Sequence, residues 1–94
     1  MFVNAQQKAI EYPETFEVPT PEELAEVGKG SFVKVCAKPE RFWVLVERVI
    51  DGKVQGVINN DLVFTDRHGL VCDQRINFEL DNIYRIYDGD EKEI

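Results

Sequence analysis

One histidine follows an acid and a base in Asp66-Arg67-His68, the segment whose residue types are best suited to acid–base chemistry. A carboxylate and an imidazole at this spacing can share a proton, as general acid–base catalysis requires. No side chain at a recognisable spacing would serve as the nucleophile. A small hydrolase that uses Asp66 and His68 is one interpretation of this segment, and a solvated histidine in a turn is the other.

Two cysteines, Cys36 and Cys72, are the other reactive side chains, and they lie far apart in the chain. In a cytosolic protein we expect both to be reduced and to pack as small apolar residues. A disulfide between paired strands is the alternative, and Lys34 and Lys38, on the same strand face as Cys36, would lower its thiol pKa. Two cysteines and one histidine are too few for a four-ligand zinc site, so we expect no metal and no cofactor.

Ligand binding is a second kind of chemistry that the sequence allows. Trp43 is the only tryptophan, and it would contact a ligand if it faced outward or pack in the interior if it were covered. Asn59, Asn60 and Asp61 could present amides and a carboxylate to a polar ligand, but the same residues suit a turn. Arg75 could likewise contact a ligand, or it could be a solvated charge on the outer face of a strand. The candidate binding residues are Trp43, Asn59, Asn60, Asp61, His68 and Arg75.

Short apolar strands separated by turn signals must position these residues. Asp51-Gly52 between β-branched residues is typical of a two-residue type I′ hairpin, in which both central residues need positive φ. Strand four alternates cleanly, and 81–83 has the pattern of a single helical turn. A small SH3-like β-barrel of about five bent strands, mainly β in class, fits this pattern. The predicted strands span 31–38, 41–50, 53–59, 70–78 and 84–87.

The first 30 residues carry two helix starts. Asn4 and Thr20 are good N-caps, and Pro21 occupies a first helical position where its missing donor costs nothing. Strand two is apolar on both faces, so Trp43 and Leu45 need a cover. We expect the segment 1–30 to supply that cover with its short helices, through Phe16, Val18 and Leu24. The chain therefore divides into this segment, the barrel at 31–87 and an acidic frayed tail at 88–94.

Charge is distributed unevenly along the 94 residues, whose net charge is −7. Residues 1–30 carry six acids and two bases, 31–87 carry eight of each, and 88–94 carry four acids and one base. Nothing forms the basic stripe that nucleic acid requires, and acidic ends repel anionic membranes. Without a leader or a long apolar run, a cytoplasmic protein is expected. A non-catalytic interaction module with a protein partner fits best, and an acidic inhibitor or immunity-type protein for a basic partner is the alternative.

Several short motifs carry a resemblance that covers roughly residues 5–87. They are, in chain order, Phe32-Val33-Lys34-Val35, Glu40-Arg41-Phe42-Trp43-Val44, Gly52, Gly56, Ile58-Asn59-Asn60, Gly69 and Asp81-Asn82-Ile83-Tyr84. In these motifs the chain resembles the bacterial domain family of unknown function that includes YegJ. The resemblance implies a shared fold, and it implies no activity, because the family carries no established one.

Overall fold

The computed structural model describes residues 1–14 and 17–87, which are mainly β with a few short helices. Five antiparallel strands form one sheet in the order β4-β3-β2-β1-β5. Within the described residues β4 and β5 are its edges and do not pair, so closure into an SH3-like barrel stays a prediction. In chain order the elements are α1 (Ala5–Glu11), α2 (Pro21–Ala25), β1 (Phe32–Ala37), β2 (Glu40–Ile50), β3 (Lys53–Ile58), α3 (Thr65–His68), β4 (Arg75–Glu79), a 3-10 turn (Leu80–Asn82) and β5 (Arg85–Ile86).

The hairpin between β2 and β3 confirms the turn predicted from the sequence. Asp51 and Gly52 have φ angles of 52° and 79°, so both central residues adopt the left-handed conformation that a type I′ turn needs. Ile50 pairs with Lys53 across the turn, as expected. The turn therefore sets the register of β2 against β3 locally.

The same strand pair bends sharply further from the turn. A register shift between Val46 and Arg48 marks a β-bulge, which bends β2 and increases its twist. Opposite Val46 lies Gly56, where a Cβ atom would lie 2.5 Å from Val44 Cγ1 and 2.8 Å from the Leu45 carbonyl oxygen. Only glycine allows this close approach.

The apolar pattern of the predicted strands predicts one shared core of nine residues, and all nine are buried in one cluster. Leu24 and Val27, from α2 and the loop after it, complete this core. Such burial of apolar area is the main term that stabilises a domain of this size. The nine are Val35, Phe42, Val44, Val46, Val54, Ile58, Leu70, Ile76 and Phe78.

Local capping explains the two N-terminal helices. Asn4 Oδ1 accepts from the Gln7 backbone N–H at the start of α1, and Thr20 and Glu23 form a reciprocal capping box at the start of α2. Phe2, just before α1, packs against the core, with its ring centroid 5.9 Å from that of Phe78. None of the helices in the described residues has the length and apolar character needed to cross a membrane.

Of the three residues predicted to cover Trp43 and Leu45, the two that are described lie in other clusters, and the cover stays a prediction. Leu24 belongs to the core on the opposite face of β2, and Val18 packs beside a second cluster of Ala5, Cys36 and Tyr84. Phe16 lies outside the described residues. Tyr87, which follows β5, packs against Trp43.

The region between β3 and β4 departs most from the sequence prediction. Strand four begins at Arg75 and not at residue 70, because Asp73 has a positive φ of 71° and the preceding residues form turns. The predicted turn at 66–69 is a single helical turn, α3, that ends at Gly69 in the left-handed conformation. Residues 62–64, between β3 and α3, do not form a strand. Side-chain bonds to the backbone replace strand pairing here, since Thr65 Oγ1 donates to the Leu70 carbonyl oxygen.

Candidate functional site

Trp43 lies on the outer face of the sheet, because successive residues of a strand point to opposite sides and Phe42 points into the core. Its indole ring is partly buried and packs edge-to-face against Tyr87, with 5.9 Å between ring centroids and an interplanar angle of 86°. Tyr87 makes a second edge-to-face contact with Phe32, at 6.2 Å and 73°. Three aromatic rings from β1, β2 and the end of β5 therefore form one cluster.

These three rings and the side chain of Asn59 line a groove that is open to solvent. Phe32, Trp43, Asn59 and Tyr87 line it, and its volume is about 360 Å3. We call this feature the aromatic groove. Pairing of β1 with both β2 and β5 brings its walls together, since Tyr87 N donates to the Phe32 carbonyl oxygen and Asn59 N donates to the Trp43 carbonyl oxygen. The groove therefore lies on the face of the sheet and not along an edge.

The two neighbouring asparagines have different roles. Asn60 Oδ1 accepts from the Trp43 backbone N–H at 2.7 Å, and Asn60 Nδ2 donates to the Asp61 carbonyl oxygen. Asn60 therefore fixes the turn and holds the backbone of Trp43, which is the turn role that the sequence offered as an alternative. The Asn59 side chain is exposed, and its amide has no hydrogen-bond partner among the described residues. Only Asn59 of this pair presents its side chain to a ligand.

The indole N–H of Trp43 also has no hydrogen-bond partner among the described residues. One cation lies beside it, because Lys34 pairs with Trp43 across β1 and β2 and places its ammonium 5.1 Å from the ring centroid. No carboxylate of the described residues forms an ion pair with Lys34. The groove thus combines apolar walls, two unused donors and a positive charge.

A second polar feature, on the core face of β2, is the Glu40 network. Glu40 is 92% buried as a residue, and its carboxylate accepts hydrogen bonds from the backbone N–H groups of Val63 and Phe64 and from His68 Nε2, the last at 3.0 Å. The His68 side chain is 3% exposed, and its Nδ1 accepts from the Leu70 N–H at 3.1 Å. One carboxylate therefore fastens the segment 63–70 to the start of β2.

The hydrogen bonds of this network define its protonation. Because His68 Nδ1 accepts from a backbone N–H, the proton of the neutral ring lies on Nε2, which donates to Glu40. Burial by itself would raise the pKa of the Glu40 carboxyl, but the hydrogen bonds from His68, Val63 and Phe64 outweigh burial and hold that pKa below its ordinary value. Glu40 is therefore an ionised carboxylate whose acceptor capacity is used within the fold.

The sequence offered two interpretations of His68, a proton shared with Asp66 or a solvated histidine in a turn, and the structure shows neither arrangement. Asp66 is exposed, while the partner of His68 is Glu40, 28 positions earlier in the chain. Both ring nitrogens of His68 are engaged, so the imidazole has no nitrogen left for a substrate. Buried polar groups that are fully paired stabilise a unique structure, and this is what the Glu40 network can do chemically.

The remaining reactive side chains do not join either feature. Arg75 donates to both carboxylate oxygens of Glu47, at 2.8 and 3.1 Å, and these hydrogen bonds lower the pKa of that carboxyl. Cys36 and Cys72 are free thiols, and burial raises the pKa of both, so the lowered thiol pKa considered for Cys36 is wrong. Asp61 is exposed at the surface.

Of the six candidate residues, the structure brings Trp43 and Asn59 together in the aromatic groove, with Asn60 behind them. His68 lies on the other side of β2, and Arg75 is held by Glu47. Sequence reasoning missed Phe32, Lys34 and Tyr87, although the strict alternation of β1 would have placed Phe32 and Lys34 on the face opposite Val33. It also missed Glu40, for which no local pattern gives a signal.

No family model, no curated protein and no solved structure matches this chain. The resemblance to the family that includes YegJ therefore stays a prediction, and the aromatic groove and the Glu40 network are the features on which an argument about function depends.

Proposed function

We propose that this protein is a small non-catalytic interaction module that binds a protein partner in the aromatic groove. The observation that carries the proposal is the pairing of apolar walls with two unused donors, the indole N–H of Trp43 and the amide of Asn59. Binding sites are typically concave and mostly apolar, with a few polar groups that fix orientation. Tryptophan and tyrosine are also the residues that most often dominate the energy of protein interfaces.

The Glu40 network supports binding over hydrolysis. A general base needs a nitrogen or oxygen within reach of the substrate proton, and His68 has both ring nitrogens engaged by Glu40 and by the Leu70 amide. Its side chain is also almost fully buried. A structural role for this histidine is the proposal that fits these contacts.

The finer points of fold and location extend the same proposal. A five-stranded antiparallel sheet with a bulged β2 and a 3-10 turn before β5 supports an SH3-like barrel. The neutral composition of 31–87 between acidic ends supports a cytoplasmic protein that avoids nucleic acid and anionic membranes. Membership in the family that includes YegJ is consistent with this proposal and adds no activity to it.

Affinity capture with three versions of the full chain tests the proposal. The wild type, Tyr87→Ala and a control, Ile10→Ala, would be immobilised and exposed to the same lysate. Ile10 is 73% exposed on α1 and lies outside the groove, so it controls for nonspecific apolar contact. We expect a protein that binds the wild type and the control and is lost with Tyr87→Ala.

A captured protein that binds all three versions equally would contradict the groove as the site. Loss of capture at high salt and after removal of residues 88–94, with Tyr87→Ala unaffected, would favour the acidic inhibitor instead. Partner binding through the aromatic side chains of the groove should change little with salt concentration. Electrostatic attraction by the acidic ends should weaken steeply as the salt concentration rises, so salt separates the two proposals.

A further inference from the structure

We propose that the aromatic groove recognises a proline-containing peptide segment in the extended polyproline II conformation, with an acidic residue placed against Lys34. This inference rests on the proposed function and names the chemical class of its partner. Three features of the groove carry it: the mutual orientation of the rings, the unused donors and the local charge.

Ring orientation defines the shape of the ligand. Trp43 and Phe32 each pack edge-to-face against Tyr87, with interplanar angles of 86° and 73°, and all three rings line the walls of the groove. A polyproline II helix has three residues per turn and presents rigid pyrrolidine rings at regular spacing, a shape that fits between such walls. Its preformed backbone loses little entropy on binding, which makes a small groove sufficient.

The unused donors match the backbone of the same conformation. Polyproline II makes no internal hydrogen bonds, so its carbonyl oxygens are free to accept. The Trp43 indole N–H and the Asn59 amide are donors without partners at the wall and the end of the groove. An added β-strand would need unpaired backbone groups at a sheet edge, but β1 and β2 are already paired on both sides beneath the groove.

Charge selects among peptides. Lys34 lies over the Trp43 ring and has no carboxylate partner among the described residues. A cationic ligand such as a methylated lysine would be repelled by this ammonium, which already contacts the Trp43 ring. An acidic side chain beside the prolines is complementary to Lys34.

Single-stranded nucleic acid is the other macromolecule that uses exposed aromatic residues on a sheet. It needs ring faces open for stacking and a positively charged path for the phosphates. Here the rings pack edge-to-face with one another, Lys34 covers the only tryptophan, and the whole chain carries a charge of −7. The observations therefore favour the peptide, and an oligonucleotide serves as a competing probe.

Nuclear magnetic resonance on the 15N-labelled full chain tests the inference, because the single tryptophan gives a single indole N–H signal. The probes are acetyl-PPEPPA-amide, the same peptide with glycine for every proline, the same peptide with lysine for glutamate, and an oligothymidine of eight nucleotides. We expect saturable movement of the indole signal with the first peptide, and affinities about tenfold weaker with the glycine and lysine peptides.

Charge reversal gives a second readout. Lys34→Glu should reverse the preference, so that the lysine peptide binds more tightly than the glutamate peptide, while Ile10→Ala should bind like the wild type. Equal binding of the proline and glycine peptides, or movement of the indole signal by oligothymidine alone, would overturn the inference. If no peptide binds but partner capture still depends on Tyr87, the ligand class is wrong and the interaction module stands; if neither depends on the groove, both proposals fail.

Discussion

The aromatic groove and the Glu40 network lie on opposite faces of β2. The polar side-chain groups of the network are hydrogen-bonded within the fold, whereas those of the groove are not, within the part of the chain that the structure describes. In the network, every hydrogen-bonding atom of Glu40 and His68 is used within the fold and shielded from water. In the groove, the donors of Trp43 and Asn59 have no partner among the described residues and are accessible. Titratable side chains thus identify the structural feature here, and aromatic side chains identify the candidate binding site.

This contrast teaches that a histidine beside a carboxylate is not by itself a catalytic signal. A polar cluster that is buried and satisfied contributes to stability, because breaking it leaves groups that neither water nor protein can pair. A surface that keeps donors unpaired gives up little stability and is available for recognition. If the contrast is right, substitutions on the two faces of β2 must separate stability from binding.

The largest effect is expected for Glu40→Ala. It leaves the N–H groups of Val63 and Phe64 and the Nε2–H of His68 without an acceptor in a buried site, and should lower the free energy of unfolding by about 3 kcal/mol. Denaturant unfolding followed by circular dichroism measures it. The control is Glu47→Ala, which removes a more exposed ion pair with Arg75 and should cost much less stability, because solvent screens that pair. Equal costs would erase the distinction between a buried and a surface carboxylate.

A somewhat smaller effect is expected for His68→Ala. It removes one donor to Glu40 and the acceptor of the Leu70 N–H, and should cost about 2 kcal/mol while the other two hydrogen bonds to Glu40 remain. Arg67→Ala, an exposed neighbour on α3, is the matched control and should be nearly neutral. Thermal unfolding compares the two. A stable His68→Ala protein that has lost a hydrolytic activity would instead revive the catalytic interpretation.

Acid should weaken the network before it affects the groove. The pKa of Glu40 lies below its ordinary value of 4.5 in the folded protein, so the unfolded chain takes up the proton more readily. The carboxylate therefore stabilises the fold above pH 4.5, and this contribution is lost as the pH falls below 4.5 and through the folded pKa. The wild type should lose more stability than Glu40→Gln between neutral pH and about pH 3. Parallel pH profiles of the two proteins would show that Glu40 is not held ionised.

The smallest effect on stability is expected in the groove itself. Asn59→Ala removes an exposed amide with no partner among the described residues, and should change the free energy of unfolding by less than about 0.5 kcal/mol. It should weaken binding of the proline peptide severalfold. Asn60→Ala is the instructive comparison, because it removes the acceptor of the Trp43 N–H and should cost more stability. A reversed order for these two asparagines would contradict the roles assigned to them.

Much of the fold was predictable because its signals are local. The Asp51-Gly52 hairpin and the N-cap at Thr20 each depend on a few neighbouring residues, and the structure confirms both. Strand four was predicted too long, because apolar alternation continues through residues 70–74 while Asp73 adopts positive φ and turns the backbone. Periodicity reports which residues are buried, and it does not report where the backbone leaves the sheet.

The candidate site was predictable only in part. Trp43 was identified by residue type and Asn59 by its place at the end of a predicted strand, but their neighbours Phe32 and Tyr87 come from opposite ends of the sheet-forming region. The sequence by itself determined the hairpin register and the core face of β2 and β3, since local sterics and hydrophobic alternation govern them. Only the tertiary structure decided that Glu40 pairs with His68 and that Tyr87 packs on Trp43, because these contacts join residues far apart in the chain and arise only when strand pairing brings them together.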